Sequence, residues 1–136
     1  MHVDLQFHHH GLALRDESMA LFFLAALGYS KGERIYDPLQ DVELRLCTHD
    51  TAPAVELVMP GRNKGPLTDL LSRYDQLIYH TCYEVEDRSQ SVERLQDLGL
   101  RVVDVLQPTP AILFGGRLVS FHIVIGYGVI ELLDKR

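Results

Sequence analysis

The chain has 136 residues, 46% of them hydrophobic and 24% charged, with a net charge of −6. That is enough for one soluble domain with a sizeable core. It argues against nucleic-acid and anionic-membrane surfaces, which need clustered Lys and Arg, and no apolar run approaches the ~20 residues of a bilayer span.

The first element is a strand in "FHHHGLALRD", from Phe7 to Asp16. Three histidines are fewer than an expression tag usually carries, and they run straight into the strand. Strand alternation puts His9, Gly11 and Ala13 on one face and His8, His10, Leu12 and Leu14 on the other. Small residues beside His9 leave room for a ligand, and Leu12 and Leu14 suit a helix packed behind. Asp16 then stands where a helix N-cap belongs, "ESMALFFLAAL" is helix-length, and Gly28 marks its stop. The runs "ERIY", "VELRLC" and "AVELVM" follow as strands between Asp-Pro and Thr-Ala-Pro turns. "PLTDLLSRY" reads as a short connecting helix with Pro66 near its start.

The pattern then repeats 71 residues on. His9 aligns with His80, Asp16 with Asp87, Ser18 with Ser89, and Leu27-Gly28 with Leu98-Gly99. "HTCYEV" is the second first strand, and "RSQSVERLQDL" is its amphipathic helix. "LRVVDVL", "AILF", "LVSFHIVI" and "VIELL" supply the strands that follow. The expected fold is α+β, two βαβββ modules in one chain forming a curved mixed sheet around a metal-binding cavity. Module one covers about 1–62, a linker helix about 63–75 and module two about 76–136.

The last strands repeat too, Val55-Glu56-Leu57 against Ile130-Glu131-Leu132. His9 lies 47 residues before Glu56, and His80 lies 51 before Glu131. Two modules related by pseudo-symmetry would bring His9, Glu56, His80 and Glu131 to one cavity. Imidazole with carboxylate suits one divalent ion: cobalt, nickel, zinc, manganese or iron. His122 in "VSFHIVI" is a candidate for lining that cavity near a substrate, and Arg117 in "FGGR" for contacting a phosphate. His49 has no such constellation and reads as surface. Cys47 and Cys82 sit in apolar runs without disulfide or zinc spacing, so a reduced, cytoplasmic setting is expected.

Paired βαβββ units with a histidine on each first strand and an acid on each last strand resemble the vicinal oxygen chelate superfamily. The resemblance covers the whole chain and runs closest to methylmalonyl-CoA epimerase-like proteins. "HHGLAL", "VELVMPGRNKGPLTDLLSRYDQLIYHTCYEVED" and "GVIELL" carry it. It implies that His9, Glu56, His80 and Glu131 are metal ligands. It also implies an isomerase or lyase that moves a proton beside a metal-polarised carbonyl of a small carboxylate or thioester. Glu131 and Glu43 are the candidate catalytic carboxylates, and Gln40 is a candidate substrate contact. The chain departs from the epimerase pattern "PEQGV": it reads "PLQDV", with Leu39 for the glutamate and Asp41 for the glycine. A ring-cleaving dioxygenase fits less well, because it needs two histidines and a single carboxylate on iron. The alternative from another class is a metal-free protein that binds an antibiotic or metabolite on the same fold. The expected partner is a small molecule, with neither nucleic acid nor membrane, in a homodimer that has His8 and His10 near its contact.

Overall fold

The computed structural model describes residues 2–136 and divides into two compact units. One unit is His9–Tyr79; the other joins the chain up to His8 with His80–Arg136.

Unit His9–Tyr79 contains strand β1 (Gln6–Leu14) from His9 onward, helix α1 (Ser18–Ala26), β2 (Ser30–Asp37), β3 (Val42–Thr48), β4 (Ala54–Pro60) and the short α2 (Pro66–Leu71). β2 pairs antiparallel with β3, β3 antiparallel with β4, and β4 parallel with β1, so the order is β2-β3-β4-β1. The parallel β1/β4 pair explains why a helix and two strands must separate them in sequence. α1 ends as its sequence predicts: Gly28 has φ +95°, Gly28 N–H donates to Ala25 and Tyr29 N–H to Leu24, satisfying the last carbonyls. Asp16 accepts from Ser18 N–H and Oγ just before the helix. Leu14, Leu24, Cys47, Val55, Leu57 and Met59 form the core between α1 and the sheet. His49 has a structural role that its sequence context does not reveal. Its Nδ1 accepts from Thr51 and Ala52 N–H, leaving Nε2 to donate to Leu27 O at the end of α1.

The second unit repeats the plan with β5 (Gln76–Val85) from His80 onward, α3 (Arg88–Asp97), β6 (Val102–Pro110), β7 (Leu118–Val124) and β8 (Gly128–Asp134). Its order is β6-β7-β8-β5, with β8 parallel to β5. Asp87 caps α3 by accepting from Gln90 N–H, and Gly99 (φ +96°) closes it. "AILF" is not a strand: β6 runs on to Pro110, and Ile112–Phe114 form a 3-10 turn closed by Gly115 and Gly116. Two clusters fill this unit. Cys82, Ala111, Val119 and Leu133 pack on one face of the sheet. Val85, Val124, Ile130 and Leu132 pack on the other, with Val92 of α3 and Leu5 of the N-terminal stretch against them.

Candidate functional site

Each unit holds one buried histidine–glutamate pair on adjacent parallel strands. In the first, β1/β4 register sets Gly11 opposite Glu56, and His9 Nε2 lies 3.7 Å from Glu56 Oε1. In the second, β5/β8 register sets Cys82 opposite Glu131, and His80 Nε2 lies 3.3 Å from Glu131 Oε1. Exposure is 0% for His9, 4% for Glu56, 2% for His80 and 3% for Glu131. Acids are almost never so buried without a compensating charge, because desolvating a carboxylate costs on the order of several kcal/mol. Alternation places both pairs on the sheet face opposite the helix. Leu12 and Leu14 pack toward α1 while His9 points away, and Ile130 and Leu132 pack with Val92 of α3 while Glu131 points away. Phe121 shares the His80 face and meets that imidazole edge-on at 5.3 Å, fixing the ring plane.

Two candidates lie elsewhere. Glu43 is on the wrong face for a base beside Glu56. Register sets Leu46 opposite Glu56, so Leu44 and Leu46 share its side, and Glu43, Arg45 and Cys47 share the α1 side. There Arg34 donates to Glu43 at 2.9 Å and holds its carboxyl below the ordinary value, while Arg45 binds Glu17 at 2.7 Å. His122 is likewise not in the His80–Glu131 face. It pairs across from Ile130, under α3, whereas its neighbour Phe121 pairs with Glu131. Its Nε2 is 2.8 Å from Ser120 Oγ and its Nδ1 is 2.8 Å from Asp104 Oδ1. With Asp104 accepting, Nδ1 carries the proton and Ser120 donates to Nε2. Ser120 is 0% exposed, so this chain of bonds has its hydroxyl end in the core.

Arg117 lies at the far end of the His80 face. It donates to Glu84 at 2.6 Å and to the Asp134 carbonyl at 2.7 Å. The N–H groups of Gly116 and Arg117 donate to Ala111 and Phe114 carbonyls, which commits them to the turn. Gln40 sits in the β2–β3 turn, bonded through backbone and side chain to the buried Asp37.

The departure at Asp41 has a local cause. Asp41 has φ +53°, a left-handed conformation that suits glycine and that Asp tolerates. Its carboxylate accepts from Arg62 N–H, Tyr36 Oη and Asn63 N–H, and these hold it down to about 2 from an ordinary 3.8. Gly61 must pass close by: a Cβ there would stand 2.3 Å from the Asp41 carbonyl oxygen. A carboxyl depressed on folding stabilises the fold fully above its unfolded value and loses that contribution as pH falls. Thermal unfolding of wild type and Asp41→Asn should therefore differ at neutral pH and converge between pH 3.8 and about 2.

The sequence over residues 8–121 matches the Glyoxalase/Bleomycin resistance protein/Dioxygenase superfamily. The chain belongs to that superfamily. No curated protein sequence matches it. Solved glyoxalase-superfamily structures share its fold. Methylmalonyl-CoA epimerase from Mycobacterium tuberculosis superposes with a TM-score of 0.78 at 18% identity, covering 96% of this chain and 88% of that one. A Streptomyces coelicolor methylmalonyl-CoA epimerase variant in complex with 2-nitronate-propionyl-CoA gives 0.75 at 19%, covering 95% and 96%. A methylmalonyl-CoA epimerase in complex with methylmalonyl-CoA and NH4+ gives 0.75 at 19%, covering 96% and 94%. Among the described residues, no helix of this superfamily member is long and apolar enough to cross a membrane.

Proposed function

We propose that this protein is a metal-dependent isomerase or lyase that transfers a proton next to a carbonyl of a small carboxylate or thioester. The observation that carries the reading is the duplication of one buried His–Glu pair, His9 with Glu56 and His80 with Glu131, at equivalent strand positions. The two pairs are proposed to close on a single divalent ion. Two imidazole nitrogens and two carboxylate oxygens fit cobalt, nickel, zinc, manganese or iron, and they leave positions for water or substrate. The ion, when bound, supplies Lewis-acid polarisation of the substrate carbonyl, which lowers the cost of the negative charge that develops beside it.

The chain's own residues do the rest. Glu131 is the proposed base: a carboxylate oxygen takes the proton from the carbon next to the carbonyl, and the C–H bonding pair stays on the substrate. A solvent-exchangeable proton is then delivered to the opposite face of that carbon, or to its neighbour, so atoms and charge balance without a co-reactant. Leu39, where related epimerases carry a glutamate, removes one obvious second base, and Glu43 faces the other way. The relatives' complexes with coenzyme A esters support a thioester as the first substrate class to try. The protein is proposed to work on this small molecule in the cytoplasm as a homodimer.

The test is solvent deuterium exchange on methylmalonyl-CoA and on hemithioacetals with metal-loaded protein. Exchange on one of them, lowered about 10²–10⁴-fold by Glu131→Gln, is the expected result. Loaded protein that exchanges neither overturns the proposed reaction.

A further inference from the structure

Helix α1 carries a feature that proton transfer does not use. Its sequence, SMALFFLAA, has no charged residue. Ala20, Leu21 and Leu24 pack inward on the core. A second apolar stripe runs outside them, and its Met19 and Phe23 are 78% and 63% exposed. Between that stripe and the sheet lies a groove of about 400 Å³, within the ~300–1,000 Å³ range of small-molecule sites. Leu12, Leu14, Leu24 and Val55 floor it, and Met19 and Phe23 wall it.

The repeat shows that this space is not a demand of the fold. Seventy-one residues on, Leu12 and Leu14 become Tyr83 and Val85, and Val55 matches Ile130 on the last strand. In that unit the corresponding floor is covered, because Leu5 packs on the cluster of Val85, Val124, Ile130 and Leu132, beside Tyr83. The helix is engaged too: Arg94, the counterpart of Phe23, donates to the His2 carbonyl at 3.4 Å. The counterpart of Leu5 is Gln76, an exposed residue that lines the α1 groove and is not among the core residues there. One copy of the repeat is thus plugged by a leucine, and the other is left open by a glutamine. An apolar floor bare in one copy and covered in the other marks a place for a ligand.

Charge decides what fits. Asp16 and Asp75, both exposed, line the groove with His10 and Gln76, and among the described residues no Lys or Arg does. Asp16 accepts Ser18 N–H and Oγ through Oδ1, which leaves Oδ2 for a ligand's N–H. The Phe23 ring offers a π face to a cation. Two acids repel a carboxylate or phosphate, and a neutral hydrocarbon leaves them unused. Leu12 and Leu14 point to the opposite sheet face from His9, so the groove is separate from the His9–Glu56 pair.

We propose that the α1 groove binds a small organic cation, an amine on an aromatic or branched aliphatic body. The ammonium meets Asp16 and Asp75, and the body lies on the Leu12, Leu14 and Val55 floor. The inference stands apart from the metal reading. Its test uses three probes with one body: naphthylmethylamine, naphthylmethanol and naphthoate. Calorimetry should give a Kd of about 1 mM for the amine, weaker binding of the alcohol and none of the acid. Asp16→Asn/Asp75→Asn keeps an acceptor before α1; it should weaken the amine about fivefold and leave the alcohol unchanged. Gln76→Leu, which installs the counterpart of Leu5, should abolish binding of amine and alcohol alike and raise the melting temperature. Hydrogen exchange of wild type, which needs no variant, should show the amine protecting α1 and Asp75–Ile78. An amine that does not bind at about 10 mM, binds no better than the acid or protects other segments would overturn the proposal. So would an amine affinity unchanged in Gln76→Leu or in the double Asn variant. Affinity lost in His9→Ala/His80→Ala would put the amine on the metal ligands and overturn it equally.

Discussion

Elemental analysis of untagged wild-type protein is expected to return about one equivalent of divalent metal, and a His9→Ala/His80→Ala variant none. The expectation rests on two facts. Both imidazoles are buried beside a carboxylate, at 3.7 Å and 3.3 Å. Their loss leaves Glu56 and Glu131 as the whole remaining donor set, two hard oxygens with no nitrogen to hold a borderline ion. Bound metal also stabilises the fold: at a thousandfold excess over its dissociation constant the gain is about 4 kcal/mol. Chelator should therefore lower the melting temperature of wild type and leave the double variant unchanged, a readout independent of turnover. Protein that takes up none of cobalt, nickel, zinc or manganese would defeat the metal reading, and with it the Lewis-acid chemistry.

The second large effect concerns stability. His122→Ala should cost about 3 kcal/mol, combining a cavity with a buried hydroxyl stripped of its partner. Ser120 has no exposure with which to recover a bond to water. Asp104, by contrast, has a side chain 57% exposed and can be solvated, so Asp104→Asn should cost under ~1 kcal/mol. Ser120→Ala/His122→Phe should recover much of the loss, because it removes both polar partners together. Denaturant titration of the four proteins measures all of this. Metal content should stay unchanged throughout, since His122 lies under α3. A His122→Ala protein of full stability would show that the Ser120–His122–Asp104 chain contributes nothing to the fold.

The contrast between His9 and His122 shows what a reader of the sequence can and cannot extract. His9 and His80 were legible because the repeat fixes them to the same phase of equivalent strands, and Leu12 and Leu14 say which phase meets the helix. Helix ends were legible because Asp87, Gly28 and Gly99 act within a few residues of themselves. His122 and Ser120 share a strand phase that reads as polar, and only Asp104, 18 residues upstream on β6, makes burying it tolerable. Glu43 fails for a related reason. β3 presents Leu44 and Leu46 to one face and Glu43 and Arg45 to the other. The charges that occupy the α1 side, Arg34 and Glu17, come from other elements. α1 hid its second stripe, because a helix apolar in both directions shows no periodicity to read.

The grouping of the chain up to His8 with His80–Arg136 has a consequence for synthesis. The unit His9–Tyr79 is continuous, so a nascent chain can complete it once those residues have left the ribosome. The other unit is interrupted by all of them, and Leu5 waits for Val85, Val124 and Ile130 before it has a core to join. Closing so long a loop is slow by contact-order reasoning. The order of assembly is thereby written into the topology: the His9–Glu56 pair forms first, and Leu5 is among the last residues to find its place.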